Sequence, residues 1–250
     1  MTVKEIELHP GHWINTGSGA NGIINEVTEA RKVAKRVYEI LKASNVPVCY
    51  FEDNSSTNQK DNINYLVGQH NKDSDGLIVS IHFNASAGSS SKGTGTEVLY
   101  YSEKELAERV AKAISDVSGL KNRGAKQRTD LGVLAKTYEP AILIEVCFVN
   151  DSVDTALYRR DFEKICQAIA KELATYLGKT IGEVKVVSTI KDESEVAQDS
   201  LNETGRFAAR ELIKKGVKEG FFTSKHENVE KYEDKELISY SFAYINQKFN

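Results

Sequence analysis

Residues 76–84, GLIVSIHFN, form an almost uninterrupted apolar run that ends at His82 and Asn84. A short run of this kind, rich in β-branched residues, is typical of a strand that is buried on both faces of a sheet. Comparable runs recur along the first part of the chain as EIEL, VPVCYF, TEVLYY, LGVLA and AILIEVCFV.

Amphipathic helical patterns separate these runs. Residues 27–41 place Val27, Ala30, Ala34, Val37 and Leu41 on one helical face. The same periodicity returns in LAERVAKAISDV and in FEKICQAIAKELATYL. Alternation of buried strands with such helices predicts an α/β fold, with a twisted, mainly parallel or mixed sheet of about six strands flanked by helices.

Composition limits the classes of partner. The chain has 250 residues, of which 40% are hydrophobic and 28% charged, and its net charge is -3. This charge provides no basic field for nucleic acid or an anionic membrane, so neither is expected as a partner. The amino terminus, MTVKEIELHPGH, lacks the pattern of a secretory signal, and no apolar run is long enough to span a bilayer. We expect a protein made in the cytoplasm, and a monomer.

The three cysteines are expected to be buried free thiols. Cys49, Cys147 and Cys166 are widely spaced, odd in number, and each lies in an apolar segment. A disulfide framework or a cysteine-ligated metal site is therefore not predicted.

The α/β pattern stops at Gly178, which predicts a domain at residues 1–178, a linker at 179–191 and a small second domain at 192–250. The second domain is expected to be mostly helical, from LNETGRFAARELIKKG and ELISYSFAYINQKF. It holds Phe207, Phe221, Phe222, Tyr232, Tyr240, Phe242, Tyr244 and Phe249. These aromatic residues form either a miniature core or a platform for a ligand, and the first is the more common use of such residues.

Two histidines and a glutamate indicate chemistry in the first domain. His12 follows the first strand, His82 lies near the end of a strand, and Glu26 opens the first long helix. Ligands of α/β sheets bind at the carboxyl ends of strands, where these residues could meet. Two imidazoles and one carboxylate are a ligand set that catalytic zinc uses. Glu145 is the candidate base, because a carboxylate within the apolar strand ILIEVCFV is costly to bury without a task.

Less specific interpretations compete with this one. A single buried histidine is usually a hydrogen-bonded core residue, and a glutamate at a helix start often interacts only with the helix dipole. His9, His70 and His226 are assigned to such roles, although His9 is close enough to His12 to serve as an outer partner of a metal site.

A nucleotide-binding loop is a further alternative. Gly17, Gly19 and Gly22 match the GxGxxG spacing, and Glu52 and Asp53 follow the next strand, where a dinucleotide-binding fold places its acid. That fold needs a strand that ends directly at the first glycine, whereas this chain has already turned at Pro10 and Gly11. The spacing is therefore interpreted as a coincidence.

A family resemblance adds to these arguments. PGH in the first loop, NE at the first helix, VSIHFNAS, GTEVLYY and RTDLGVLAKTYEPAILIEVCFVND occur in the order and spacing of the zinc-dependent N-acetylmuramoyl-L-alanine amidases of the amidase_3 type. The similarity covers residues 3–177. It implies that His12, Glu26 and His82 bind one Zn²⁺, that Glu145 is the catalytic glutamate, and that the substrate is bacterial peptidoglycan. No substrate-binding residue is assigned.

The resemblance also carries two departures and an expectation about biology. The family usually has Asp-Pro-Gly-His-Gly-Gly where this chain has His9 to Ile14, so His9 and Trp13 replace Asp and Gly. Trp13 is expected either to line the substrate groove or to cover the sheet edge. With a short tail and no export signal, the chain resembles phage or prophage endolysins that cause host lysis. Residues 192–250 are expected to bind a secondary wall polymer or to mediate self-association. A sporulation or autolytic amidase, and a wall-binding protein without activity, are the alternatives.

Overall fold

The computed structural model describes residues 3–182, 203–220, 229–233, 236–237 and 240. Contacts divide the chain into two compact units, 1–184 and 185–250. The division falls within the predicted linker, residues 179–191, most of which lies outside the described residues. The exact domain boundaries therefore stay a prediction.

The first unit is built on a six-stranded sheet, which confirms the predicted α/β class. Its strands are β1 (Glu5–Pro10), β2 (Val48–Tyr50), β3 (Gly76–Asn84), β4 (Thr96–Tyr100), β5 (Asn122–Gln127) and β6 (Ala141–Phe148). They are arranged in the order β2-β1-β3-β6-β4-β5. Only the β4–β6 pair is antiparallel, and every other pair is parallel. The carboxyl ends of β1, β3 and β6 therefore meet at one edge of the sheet.

Five helices cover the two faces. They are α1 (Glu26–Ala43), α2 (Gln59–His70), α3 (Lys104–Ser118), α4 (Gly132–Ala135) and α5 (Ser152–Tyr176). Helices α1, α3 and α5 pack on the main core, which includes Val79, Ile81 and Ile144 from the sheet. Helices α2 and α4 cover a smaller core on the opposite face, with Ile78 and Leu143. Because side chains alternate along a strand, His82 and Glu145 belong to this thinner face.

One predicted strand is wrong. The segment LGVLA was predicted to be a strand, but its residues Gly132–Ala135 form helix α4. The strand that completes the sheet is instead β5, Asn122–Gln127. This strand, NRGAKQ, is the sheet edge and is half-exposed or exposed throughout. An edge strand open to solvent does not need apolar residues, so the apolar pattern could not identify it. Helix α2 is a further element that the sequence analysis did not assign.

The predicted face of α1 is confirmed, because Val27, Ala30, Ala34, Val37 and Leu41 are all buried. All three cysteines are free, as predicted. Cys147 and Cys166 are buried, but Cys49 is only half-buried because β2 is the other edge strand of the sheet.

The second unit is described in part. Its helix α6 (Glu203–Lys218) matches the helical prediction for LNETGRFAARELIKKG. Ala209 and Ile213 of α6 pack with Val229 and Leu237, and Tyr232 and Tyr240 lie against them. Phe207 is 68% exposed. The other aromatic residues of the tail, and most of the predicted helix ELISYSFAYINQKF, lie outside the described residues. No helix in the described part of the chain has the length and apolar character needed to cross a membrane.

Candidate functional site

The turn after β1 brings His12 to the end of β3. The Gly11 amide donates to the Ile81 carbonyl at 2.8 Å and so extends the β1–β3 pairing by one residue. A Cβ on Gly11 would lie 2.0 Å from Cε1 of His82, so the His82 ring occupies the space that a side chain would fill. His12 then adopts a left-handed backbone conformation, with φ of 63°. Such a conformation is uncommon for a residue other than glycine and often marks a functional position.

The start of α1 fixes Glu26. Asn25 caps the helix by accepting from the Thr28 amide at 3.0 Å. Glu26, the first helical residue, is only 4% exposed. Its Oε2 accepts from the Ala20 amide at 2.6 Å and its Oε1 from the Phe83 amide at 3.2 Å. These two backbone donors hold the carboxylate between the first loop and the end of β3.

The structure brings the three predicted ligands together. Oε1 of Glu26 lies 2.9 Å from Nδ1 of His82 and 3.2 Å from Nε2 of His12. The two imidazole rings are 5.0 Å apart and nearly perpendicular. One donor atom from each residue lies within 4.8 Å of the other two. A Cβ on Gly19 would lie 2.8 Å from Oε2 of Glu26, so this glycine leaves room for the cluster.

The charges of the cluster suit a cation. Burial alone would raise the pKa of Glu26, but hydrogen bonds to His12 and His82 outweigh it and hold the pKa well below its ordinary value. Burial lowers the pKa of His82 in spite of the adjacent Glu26 carboxylate. The carboxylate is therefore ionised and the His82 imidazole neutral near pH 7, which are the forms that bind a metal ion.

Glu145 lies beside this cluster without a partner. It is in register with His82 across the β3–β6 pair. Its Oε2 is buried and has no hydrogen-bond partner. Burial, together with the negative charges of Glu26 and Glu97, raises the pKa of Glu145 to about 8. A carboxyl group whose pKa lies close to physiological pH can both accept and return a proton.

Sequence analysis did not assign Glu97, which faces Glu145, or the two side chains that bind Glu97. Glu97 of β4 lies opposite Glu145 in the antiparallel pair with β6 and is 8% exposed. Its Oε1 accepts from Nδ2 of Asn84 at 3.0 Å, and its Oε2 accepts from Nε of Arg123 at 2.7 Å. The signal for Glu97 was present in TEVLY, a carboxylate within an apolar strand, which is the argument that selected Glu145. Arg123 lies on β5, the strand that the apolar pattern did not predict.

His9 and His70 form a separate pair. Both are fully buried, and Nδ1 of His9 lies 2.9 Å from Nε2 of His70. His9, expected as an outer partner of the metal site, thus has His70 as its hydrogen-bond partner. His70 also contacts Glu7, as a hydrogen-bonded core histidine would. His226 lies outside the described residues. Trp13 is half-buried, and its backbone forms an isolated parallel bridge with Asp53, past the carboxyl ends of β1 and β2.

The GxGxxG spacing has a local explanation. Gly19 leaves space beside Glu26, and a Cβ on Gly22 would lie 2.5 Å from the Val149 carbonyl oxygen. Asp53, the acid that a nucleotide site would need, accepts instead from the Ser55 and Ser56 amides and from Asn62. Glu52 forms an ion pair with Arg31 at 3.3 Å. The glycines therefore serve the turn and the carboxylates have structural partners.

A family model matches most of the first unit. The model of the Amidase_3 family, described as N-acetylmuramoyl-L-alanine amidase, matches residues 6–175. The chain belongs to this family.

Relatives and solved structures agree with an Amidase_3 domain. An uncharacterised protein of Clostridium perfringens is 34% identical over 207 residues, which cover 80% of this chain and 57% of that protein. The endolysin of Bacillus phage SPP1 is 31% identical over 173 residues, or 63% of this chain and 59% of the endolysin. The catalytic domain of an endolysin targeting Clostridia difficile superposes with a TM-score of 0.62 and 27% identity, covering 72% of this chain and 99% of that domain. The chain spans a little over half the length of the curated relatives it matches.

Amidase_3 proteins generally depend on a metal ion, and the described residues offer three groups with suitable ligands. They are His12–Glu26–His82, Glu7–His70–Glu139 and Asp73–Asp75–Glu139. Only the first lies at the carboxyl ends of β1 and β3, beside the unpaired Glu145. Its donor set, two imidazoles and a carboxylate in a space kept open by Gly11 and Gly19, fits a divalent metal ion.

Proposed function

We propose that this protein hydrolyses the amide bond between the lactyl group of N-acetylmuramic acid and L-alanine in bacterial peptidoglycan. The observation that carries the proposal is the arrangement of His12, Glu26 and His82 around one space, with the unpaired Glu145 beside it. Membership of the Amidase_3 family supports the choice of substrate.

The proposed cofactor is one Zn²⁺, held by His12, Glu26 and His82. Two nitrogen ligands and one oxygen ligand, with a fourth position free, are typical of catalytic zinc sites. When bound, such an ion lowers the pKa of a bound water to about 7 and polarises a carbonyl group. The backbone donors Ala20 and Phe83 orient Glu26, so that the ligand set is held in place by the fold before a metal binds.

Glu145 is proposed as the general base and acid of the reaction. In its ionised form the carboxylate accepts a proton from the attacking water, and in its protonated form it delivers this proton to the leaving nitrogen of alanine. Arg123 forms its ion pair with Glu97, and Arg128, whose charge acts to lower the pKa of Glu145, forms its ion pair with Asp130. The proton affinity of Glu145 is kept high by burial and by the neighbouring carboxylates.

Digestion of purified cell walls tests the proposal. The full chain should release new amino-terminal alanine without new reducing sugar ends. A chelator should abolish the release, and added Zn²⁺ should restore it. Binding to walls without release of either group would contradict the proposal and would indicate a wall-binding protein without activity.

The biological role proposed is that of a phage endolysin, which reaches the wall from the host cytoplasm at lysis. An SPP1 endolysin and an endolysin catalytic domain are among the similar proteins, which supports this choice. Expression that follows prophage induction would be expected. Expression confined to sporulation or to normal wall turnover would instead indicate a bacterial amidase.

The second unit, proposed as a cell-wall-binding domain at residues 192–250, would keep the enzyme on its substrate by raising its effective concentration. The exposed Phe207 on α6 is available for contact with a polymer. A chain of residues 1–178 should bind host walls more weakly than the full chain, while it keeps its activity on short soluble muropeptides. Equal wall binding by the two chains would contradict this role.

A further inference from the structure

A second group of metal-type ligands lies at the other end of the sheet. Glu7 projects from β1, His70 ends α2, and Glu139 precedes β6 by two residues. One donor atom from each lies within 4.8 Å of the other two. Glu7 is in register with Ile78 of β3, four residues before His82, which is about 13 Å along the strand at the usual rise per residue. The group is therefore separate from the hydrolytic site, the cluster of His12, Glu26 and His82, and shares no residue with it.

All three residues are buried, with exposed fractions of 4% for Glu7, 0% for His70 and 6% for Glu139. Among the described residues, the only ion-pair partner of Glu7 is His70, and Glu139 has none. The nearby Lys4 is mostly exposed and pairs with Asp75 at 2.7 Å. Two buried carboxyl groups thus lie together without a lysine or arginine, which is costly if both are ionised.

The hydrogen bonds of Glu139 are incomplete. Its Oε1 accepts from the Gly76 amide at 2.7 Å, but its Oε2 is buried and has no partner. Glu7 lies close to the carboxyl groups of both Asp73 and Glu139, and two carboxylates have no proton to share unless one of them is neutral. A Cβ on Gly76 would lie 2.6 Å from Oε1 of Glu7, so the chain leaves space here for the carboxyl group.

The two ring nitrogens of His70 face different partners. Its Nδ1 lies 2.5 Å from Oε2 of Glu7, on the side of the carboxyl groups. Its Nε2 lies 2.9 Å from Nδ1 of His9. A histidine that binds a metal through one nitrogen usually donates its other N–H to an acceptor, which orients the ring. With a metal ion on its Nδ1, His70 would donate from Nε2 to Nδ1 of His9, which would then carry its own proton on Nε2.

We propose that Glu7, His70 and Glu139 bind a second divalent cation, of the class that takes mixed nitrogen and oxygen ligands, such as Zn²⁺. The charge of the ion balances the two carboxylates, and Oε2 of Glu139 gains the partner that it lacks. Because the ligands come from β1, from the end of α2 and from the residue before Pro140 at β6, the ion ties the second helical layer to the sheet. Its role is structural.

Metal content provides the first test. The full chain is stripped with a chelator, reloaded with Zn²⁺, desalted, and analysed for zinc per chain by mass spectrometry. We expect two zinc ions in the unmodified chain, one in Glu139→Gln and one in His82→Ala. Glu108→Gln, a change of the same kind on the exposed face of α3, should retain two. A single zinc that His82→Ala removes completely, or two zinc ions in Glu139→Gln, would overturn the proposal in favour of a carboxyl pair that shares a proton.

Thermal unfolding of His82→Ala gives a second test, which does not depend on how well Glu139→Gln folds. In this variant the hydrolytic site has lost a ligand, so stabilisation by Zn²⁺ reports the second site. At a hundredfold excess of Zn²⁺ over its dissociation constant, the melting temperature should rise by about 5–10 °C. An unchanged melting temperature would count against the second site. The result is independent of peptidoglycan hydrolysis, because no substrate is present.

Discussion

Glu97 and Glu145 lie directly opposite each other in the antiparallel pair of β4 and β6, and of the two only Glu97 forms an ion pair among the described residues. Asn84 and Arg123 donate to the two carboxylate oxygens of Glu97, whereas Oε2 of Glu145 is buried and has no hydrogen-bond partner. Glu97 is therefore compensated by a cation and an amide donor, whereas burial raises the pKa of Glu145. This difference supports the proposed proton-transfer role of Glu145.

Glu97→Gln should move the acidic limb of the pH–rate profile. The negative charge of Glu97 contributes to a Glu145 pKa of about 8. Because the base must be ionised, activity falls as the pH drops below this pKa. Removal of the charge of Glu97, and release of Arg123, both favour ionised Glu145, so the limb should shift to lower pH by about one unit. The profile of wall hydrolysis measures the shift, with Glu108→Gln as the control. A shift to higher pH, or none, would contradict the coupling.

Glu145→Gln should abolish turnover without loss of metal. The amide has nearly the same shape as the carboxyl group but cannot take a proton, and removal of general acid–base catalysis costs about 10²- to 10⁴-fold in rate. Release of alanine amino termini measures the rate, and metal analysis verifies that His12, Glu26 and His82 still bind their ion. Full activity of this variant would show that another group moves the proton.

The fold was predictable where burial controls the sequence. Central strands such as β3 and β6 are covered on both faces, so their residues are apolar and the pattern identifies them. The edge strand β5 is open to solvent and carries the polar sequence NRGAKQ. The short helix α4, GVLA, is apolar because it covers the thinner face of the sheet. Apolar character reports burial rather than backbone conformation, and for a segment of four or five residues it does not separate helix from strand.

The candidate site was predictable where a single polar residue lies within an apolar strand. His82 and Glu145 are polar residues in apolar strands, and the structure places them in register. The same reasoning did not extend to the group of Glu7, His70 and Glu139. Its members come from a strand, a helix end and a loop that only the tertiary fold brings together. Their meeting depends on the β1–β3–β6 strand order, which no local pattern contains.

The second group predicts a pH dependence of stability in the metal-free chain. Burial and neighbouring carboxylates raise the pKa of Glu7 and of Glu139 to about 7, whereas in the unfolded chain both have ordinary values near 4.5. Between these values the folded state binds more protons, so the free energy of unfolding should fall as the pH rises from about 5 to 8. The loss should be about 3 kcal/mol for one such group.

Urea unfolding of His82→Ala with a chelator, at several pH values, measures this loss. In the His82→Ala, Glu139→Gln double variant the decrease between pH 5 and 8 should be smaller, because one titrating group is gone. Zn²⁺ should stabilise His82→Ala more at pH 8 than at pH 5, since protons compete with the metal for the same oxygens. Equal pH dependence in the two variants would contradict the assignment.

Gly11→Ala should disrupt the hydrolytic site while leaving the fold intact. The new methyl group would lie 2.0 Å from Cε1 of His82 and 2.2 Å from its Nε2, so the imidazole must move. A ligand displaced from its position weakens metal binding, and we expect an affinity at least about tenfold lower, with a matching loss of activity at limiting Zn²⁺.

Gly68→Ala is the matched control, because this exposed glycine of α2 has open space around its Cβ position. That change should leave zinc binding unaltered and stabilise the helix by about 1 kcal/mol. Isothermal titration with Zn²⁺ and thermal unfolding separate the two variants. Unchanged zinc affinity in Gly11→Ala would mean that His82 binds from another rotamer, and that the space left by Gly11 is not needed for the ligand set.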